Sequence, residues 1–362
     1  MALGFKNLFS GLSKPDPQLP TKVVGIDFGS SSVKVLELHQ EGDLVKLGTY
    51  GELQLGPYAD DELGKSVMLP MEKRIEALVD VLRESKASAK HGLFSLPLAS
   101  SFVTVFSLTG KEGEDFGPRV RVEARKYIPV PMADVSFEWT ELPKLDEMPE
   151  DVHEVLAVAV QNEARADLDK LKEAVAMSEQ PTEIELFSAM RALRKKDDVS
   201  FAIIDLGAKT SKLYISHEGM VRRIHRVFAG GSQATDRLAK ELSISYEEAE
   251  NQKRNYTDTD PNAAIIKKAV VTSFERPFQE FKRVIEQYEA KVGIPVDRVV
   301  ITGGSASFGD MQTYASYMLD RNVERANPFA KVAYPAFMED MLVDIAPTFS
   351  VALGAALRSF QG

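Results

Sequence analysis

At 362 residues the chain exceeds one ordinary domain, and 44% hydrophobic beside 27% charged residues is the texture of a soluble globular protein with more than one core. A formal charge of −10 with no Lys/Arg block argues against a nucleic-acid binder. The absence of cysteine excludes disulfides, thiol catalysis and Cys-ligated zinc, and the five histidines show no His-x-x-x-His spacing for a metal site.

No apolar run reaches the roughly 18 residues of a membrane-spanning helix, and no secretory apolar core is present. Residues 1–20 read as a flexible segment, a mildly amphipathic start (Leu3, Phe5, Leu8, Phe9) leading into the linker-like Lys14-Pro15-Asp16-Pro17. Residues 21–55 follow a strand–turn–strand–strand pattern. Their first turn holds Asp27, Gly29, Ser30, Ser31, Ser32 and Lys34. Gly29 has no Cβ, so backbone N–H groups can converge on a ligand; the hydroxyls and Lys34 suit a phosphate chain. Asp27 belongs beside phosphate only if a metal ion lies between them. Taken alone, the stretch is an ordinary hairpin.

The spacing predicts a helix over 71–88 with Ile75, Leu78, Val79 and Leu82 on one stripe, then a buried strand over 93–97. From 99 to 162 the texture changes to strand, Gly/acid loop, helix (119–127) and two strands (135–142, 152–161), either an inserted subdomain or a continuation of the first domain. Leu168, Leu171 and Val175 stripe the next helix. Another follows over 183–193, carrying the small residues Ser188, Ala189 and Ala192. A charged break, 194–198, marks a domain boundary.

Then the first turn recurs. Asp205, Gly207, Ala208, Lys209, Thr210 and Lys212 again sit between apolar strands. The register is the same: glycine two after the acid, a hydroxyl (Ser32, Thr210) five after it, lysine (Lys34, Lys212) seven after it. Two halves on one plan are the simplest account. Gly230-Gly231-Ser232 opens a helix, as a cap or as N–H donors to an anion. Ser245 and Glu248 form a capping box. The helix it starts brings Glu250, Lys253 and Arg254 onto one face, which alone reads as solvated. A helix over 262–292 carries Phe274, Phe278, Phe281, Ile285 and Tyr288 on one stripe, with Pro277 expected to kink or start it. A buried strand at 299–301 runs into Thr302-Gly303-Gly304-Ser305, a glycine turn expected to open a helix. The small-residue helix 349–357 suits close packing against the one at 183–193.

In this order the features resemble the actin-like ATPase superfamily from Lys22 onward. The resemblance implies an α/β fold of two RNase H-like halves around a nucleotide cleft that binds ATP and Mg²⁺. It makes the two turns the phosphate loops, Asp27 and Asp205 the Mg²⁺ holders through water, and Gly303, Gly304 and Ser305 the adenosine motif. Glu250, Lys253 and Arg254 are similar to the chaperones' Glu-x-x-Lys-Arg at ribose and adenine. Gln180, before Pro181-Thr182, is assigned to orient the attacking water; a neutral amide is a poor base, which points to slow hydrolysis or none that matters.

Within the superfamily the 99–162 block is similar to the 1C subdomain of the FtsA/PilM branch. Val122-Glu123-Ala124-Arg125-Lys126-Tyr127-Ile128-Pro129 closely resembles the PilM family of type IV pilus proteins, as do Ser243–Glu250 and Asn327-Pro328-Phe329. FtsA carries a membrane helix after a linker, whereas this chain stops after the connecting helix. The implied division is 1–20 flexible; 21–98 and 163–198 subdomain 1A; 99–162 subdomain 1C; 199–344 the second half, with a 2B insertion at about 232–298; and 345–362 the returning helix. The implied function is a cytoplasmic adaptor at the inner face of the membrane. It would dock the cytoplasmic N-terminal peptide of a PilN-like membrane protein and link it to the pilus motor. An FtsA-like filament, and an ATPase or kinase whose turnover is the function, are the alternatives.

Overall fold

The computed structural model describes residues 20–111, 113–146, 148–178 and 182–360. Gln180 and the amphipathic start of the chain lie outside the described residues. The first sheet is built from β1 (Lys22–Phe28), β2 (Ser32–Glu41), β3 (Leu44–Gln54), β4 (Gly92–Leu96) and, later in the chain, a two-residue strand at Glu183–Ile184. After β4 come β5 (Ser101–Thr109), α2 (Gly117–Ala124), β6 (Val135–Glu141), β7 (Val152–Gln161) and α3 (Asn162–Ala174); α1 (Met71–Glu84) precedes β4, and the Glu183–Ile184 strand is β8. The rest of the chain runs α4 (Glu185–Leu193), β9 (Ser200–Leu206), β10 (Ser211–His217), β11 (Met220–Val227), α5 (Gly231–Leu242), α6 (Tyr246–Asn255), α7 (Ala263–Val292), β12 (Arg298–Thr302), α8 (Met311–Leu319), β13 (Val323–Arg325), α9 (Glu339–Ile345) and α10 (Ser350–Leu357).

The strand orders are β3-β2-β1-β4-β8 and β11-β10-β9-β12-β13, with β5-β7-β6 as a third sheet. The first two have the same wiring. Three consecutive strands pair antiparallel, then the first of them takes a parallel neighbour, which takes another. This is the duplicated plan that the matched turns imply. The third sheet has its own apolar cluster, with Phe106, Phe116, Val120, Val135 and Val155 at its centre.

The largest core cluster does not stop at one half. Val24, Ile26 and Phe94 of the first sheet share it with Phe201, Ile203, Tyr214 and Val300 of the second, and with Val158 and Val160 of the third. Burying each such side chain contributes roughly 1.5–3 kcal/mol. Alternating residues of β9 divide between two cores: Ile203 faces this cluster, Ala202 and Ile204 the one under α7. Helix α10 fits between β1 and α4 because glycine permits it. A Cβ on Gly25 would overlap the Ala352 carbonyl, and one on Gly354 would overlap the Ser188 carbonyl.

Several local expectations change. Val79 is 41% exposed; Ala77, Leu78 and Val81 carry the buried stripe of α1. That helix ends at Glu84, not 88, because Lys86 turns into the left-handed region. Glu183 and Ile184 pair as a strand with Ser95 and Leu96, so the next helix starts two residues later. Pro277 lies inside α7, held by Phe274 and Phe278 buried on either side, so it does not start the helix. Gly304–Ser307 is a single tight 3-10 turn, with regular helix resuming only at Met311. The helical run Ala336–Leu357 is long and apolar enough to cross a membrane, although no such run was expected; 61% of its apolar window is buried inside the fold.

Candidate functional site

The two turns have one backbone. Gly29 N donates to Ser32 O at 3.0 Å, and Gly207 N to Thr210 O at 3.1 Å. A Cβ on either glycine would sit 2.9 Å from that same carbonyl. Strand register sets Asp27 across from Lys34 and Asp205 across from Lys212. Both turns open on a cavity of about 730 Å³ between the halves, a volume suited to one small-molecule ligand.

The electrostatics of the turns differ. Lys212 Nζ lies 2.9 Å from both Asp205 Oδ2 and Glu185 Oε1. Burial works against its charge, but the two carboxylates outweigh it and hold the ammonium protonated well above its usual range. Among the described residues Lys34 pairs with Glu52 alone, at 3.8 Å. Asp27 has no ion pair among the described residues; Ser95 Oγ donates to its Oδ1 at 3.4 Å. Burial, with Glu185 and Asp205 nearby, pushes the Asp27 carboxyl up to about 6 despite Lys34 and Lys212.

On the Glu250 face, Glu250 and Lys253 turn inward to the cavity while Arg254 stays exposed. Glu250 is 8% exposed and accepts from Thr235 Oγ1 (2.5 Å), Lys253 Nζ (2.6 Å) and Arg254 Nε (2.7 Å). Burial raises its carboxyl, but the two cations more than offset this and hold it below the usual range. Gly303 adopts φ 86°, and a Cβ there would overlap Asp205 Oδ1 and crowd the Leu206 carbonyl. Glycine at this position therefore lets the Gly303-Gly304-Ser305 turn close onto the second phosphate-type turn.

Asp27, Gly29, Ser30, Ser31, Ser32, Lys34, Asp205, Gly207, Ala208, Lys209 and Thr210 line this one cavity, together with Gly231, Glu250, Lys253, Arg254, Gly303, Gly304 and Ser305. Gly230 is not among its walls: it packs with a virtual Cβ 2.5 Å from the Gly207 and Ala208 carbonyls. The first N–H groups of α5 are also spent, Gly231 N on Gly207 O (3.0 Å) and Ser232 N on Ala208 O (2.9 Å). They brace the second turn instead of pointing at a ligand. Gln180 lies outside the described residues, so its place at the site is not described.

Among the wall residues that sequence reasoning missed are Glu185, Tyr256 and Phe308. Glu185 opens α4 and enters the cavity from a helix read only for its small residues; its Oε1 also accepts from Leu98 N at 2.6 Å. Tyr256 and Phe308 also line the cavity and stack at 4.9 Å with 16° between their planes. Among the described residues no group of three His, Asp or Glu forms a metal cage. Two carboxylates, two lysines and glycine turns facing one space can hold a polyanion with a hydrated cation, beside a flat apolar wall.

A family model described as type IV pilus assembly protein PilM matches residues 25–360. A solved PilM-PilN type IV pilus biogenesis complex contains a chain of similar structure, with TM-score 0.77 and 21% identity over 94% of this chain and 99% of that one. Ethanolamine utilization protein EutJ from Carboxydothermus hydrogenoformans is similar at TM-score 0.56 and 16% identity, over 95% and 92%. MreB 5 of Spiroplasma citri bound to AMPPNP is similar at TM-score 0.54 and 13% identity, over 96% of each chain. These likenesses establish the actin-like fold.

Proposed function

Since the chain belongs to the type IV pilus assembly protein PilM family, we propose that it is a nucleotide-binding adaptor of the pilus machinery, with Mg-ATP as its ligand. The observation that carries the reading is the convergence of two register-matched turns and the Gly303 turn on one cavity of about 730 Å³. The residues fit the ligand. Glycines at 29 and 207 leave room for phosphate oxygens, Lys34 and the turn hydroxyls supply donors, and Tyr256 with Phe308 offers a face for a base. Asp27 and Asp205 would hold Mg²⁺ through water, its remaining ligands coming from water and phosphate. When bound, the metal–triphosphate would supply the cation that Asp27 lacks and a closer anion for Lys34 than Glu52 at 3.8 Å.

We further propose that residues 99–162 form an inserted subdomain and that an extended peptide from a PilN-like membrane protein docks in a groove where it meets the first half. Docking would place the chain on the cytoplasmic face of the inner membrane and link it to the pilus motor. The solved complex named for PilM and PilN supports the partner. Two contacts support coupling between cleft and insertion. Glu185 holds Leu98 N, three residues before β5 begins at Ser101, and buried Arg222 of β11 donates to Glu154 of β7 at 3.2 Å. A nucleotide shifts such an arrangement only through unequal affinity for its states. The test is a titration of a PilN N-terminal peptide with and without Mg-ATP. Micromolar or tighter binding that changes several-fold with nucleotide supports the adaptor. Well-folded protein that ignores the peptide sinks it, and rapid steady phosphate release without a partner favours an ATPase whose turnover is the function.

A further inference from the structure

The segment between β3 and α1 walls the cavity at Gly64, and no motif in it announces a role. Both its ends are tied to the first turn: Leu55 N donates to Ser31 O at 2.8 Å, and Val67 N to Ser30 O at 2.9 Å. Its middle reaches the opposite half. A Glu62 carboxylate oxygen accepts from Glu247 N, in the first turn of α6, at 2.9 Å. A carboxylate there meets the positive end of the helix. Tyr246 OH donates to Gly64 O at 3.4 Å, and the Lys65 ammonium lies 4.8 Å over the Tyr246 ring. Gly64 has φ 81°, and its virtual Cβ lies 2.5 Å from Glu250 Cγ, so only glycine lets the chain pass over this wall of the cavity. Three hydroxyls complete the crossing: Ser30 Oγ to Ser66 Oγ is 3.3 Å, and Ser66 Oγ to Ser232 Oγ is 3.2 Å.

We propose that residues 60–66 are a latch that spans the nucleotide cleft and sets how long a bound nucleotide stays. The proposal rests on the nucleotide-binding reading above and adds the element that controls exchange. The Glu62 and Ser66 contacts are single exposed or half-buried polar bonds, worth little alone, and the buried Tyr246–Gly64 bond is long, at 3.4 Å. Together they can open as a unit, pivoting on the Leu55 and Val67 anchors. Because the anchors belong to the first turn and Ser232 opens the helix that braces the second, the latch closes only when the two turns stand at their present separation.

The chain contains no cysteine, which makes a covalent test clean. In Ser66→Cys/Ser232→Cys, the two sulfurs replace oxygens 3.2 Å apart and need about 1 Å of approach to bond. Crosslinking is read by mass, independently of any ligand, and release is read by chasing a fluorescent ATP analogue with excess ATP in a stopped-flow. The oxidised protein loaded with nucleotide is expected to release it at least about tenfold more slowly than its reduced form. Glu62→Ala in the native background is expected to release it about fivefold faster, with a smaller change in the on-rate. A crosslink that fails to form, or one that leaves release unchanged together with an unaltered Glu62→Ala rate, overturns the latch. Native protein that binds no nucleotide overturns the underlying reading, and the latch with it.

Discussion

The two turns are copies in backbone and opposites in charge. Each closes with the same glycine-to-carbonyl bond, and each sets an acid across from a lysine. In the second, Lys212 is clamped between Asp205 and Glu185, so the charges are satisfied before any ligand arrives. In the first, Asp27 is partly buried with no cation in contact, and Lys34 hangs at 3.8 Å from Glu52. A duplicated motif can thus divide its labour: one copy is a rigid wall, the other an electrostatically incomplete surface that a metal–anion pair would complete.

The largest expected effect is at the compensated turn. Lys212→Met leaves two partly dehydrated carboxylates without their shared cation and should cost about 3–5 kcal/mol, read as a fall in the urea midpoint at constant slope. A loss as small as that at Lys34 would erase the distinction between the turns. Next comes Asp27. Its carboxyl titrates at about 6 in the fold against 3.8 as its ordinary value. A raised acid penalises the fold when ionised, so the penalty is absent below 3.8, grows as pH rises between 3.8 and 6, and is complete above 6. Asp27→Asn should therefore stabilise the ligand-free protein by about 2–3 kcal/mol at pH 8 and leave it nearly unchanged at pH 3.5. The same variant should lose the Mg²⁺-dependent part of nucleotide affinity, which calorimetry with and without EDTA measures. Gly29→Ala and Gly207→Ala test the shared backbone. Each puts a Cβ 2.9 Å from a carbonyl, so each should cost about 1–3 kcal/mol, and the two costs should agree within about 1 kcal/mol. The smallest effect belongs to Lys34→Met, under about 1 kcal/mol, because its pair is long and partly exposed.

The turns were legible because their chemistry is local. An acid, a glycine, hydroxyls and a lysine within eight residues survive being read as text, and repetition in register removed the hairpin alternative. The partners of those charges were not legible. Glu185 meets Lys212 only because α4 and β10 converge in space, and nothing in Glu185-Leu186-Phe187 announces it. The Glu250 face misled for the same reason: i, i+3, i+4 charges look solvated until Thr235 and Lys253 are seen closing over the carboxylate. Gly230 was read for what it might present, whereas its use is to let two carbonyls approach. The Glu183–Ile184 strand was too short for any periodicity to register, and the segment at 56–69 has none, since its residues answer to contacts on the opposite half.

The largest apolar cluster threads all three sheets, joining Ile26 to Ile203 and Val160 in one buried interior. Halves divided by solvent could swing like doors. Halves sharing one continuous interior must shear past each other, keeping contact while side chains change partners. Excursions of that kind are expected to be small in amplitude. A ligand in the cleft of such a molecule acts less as a wedge than as a choice between two ways of packing the same interior.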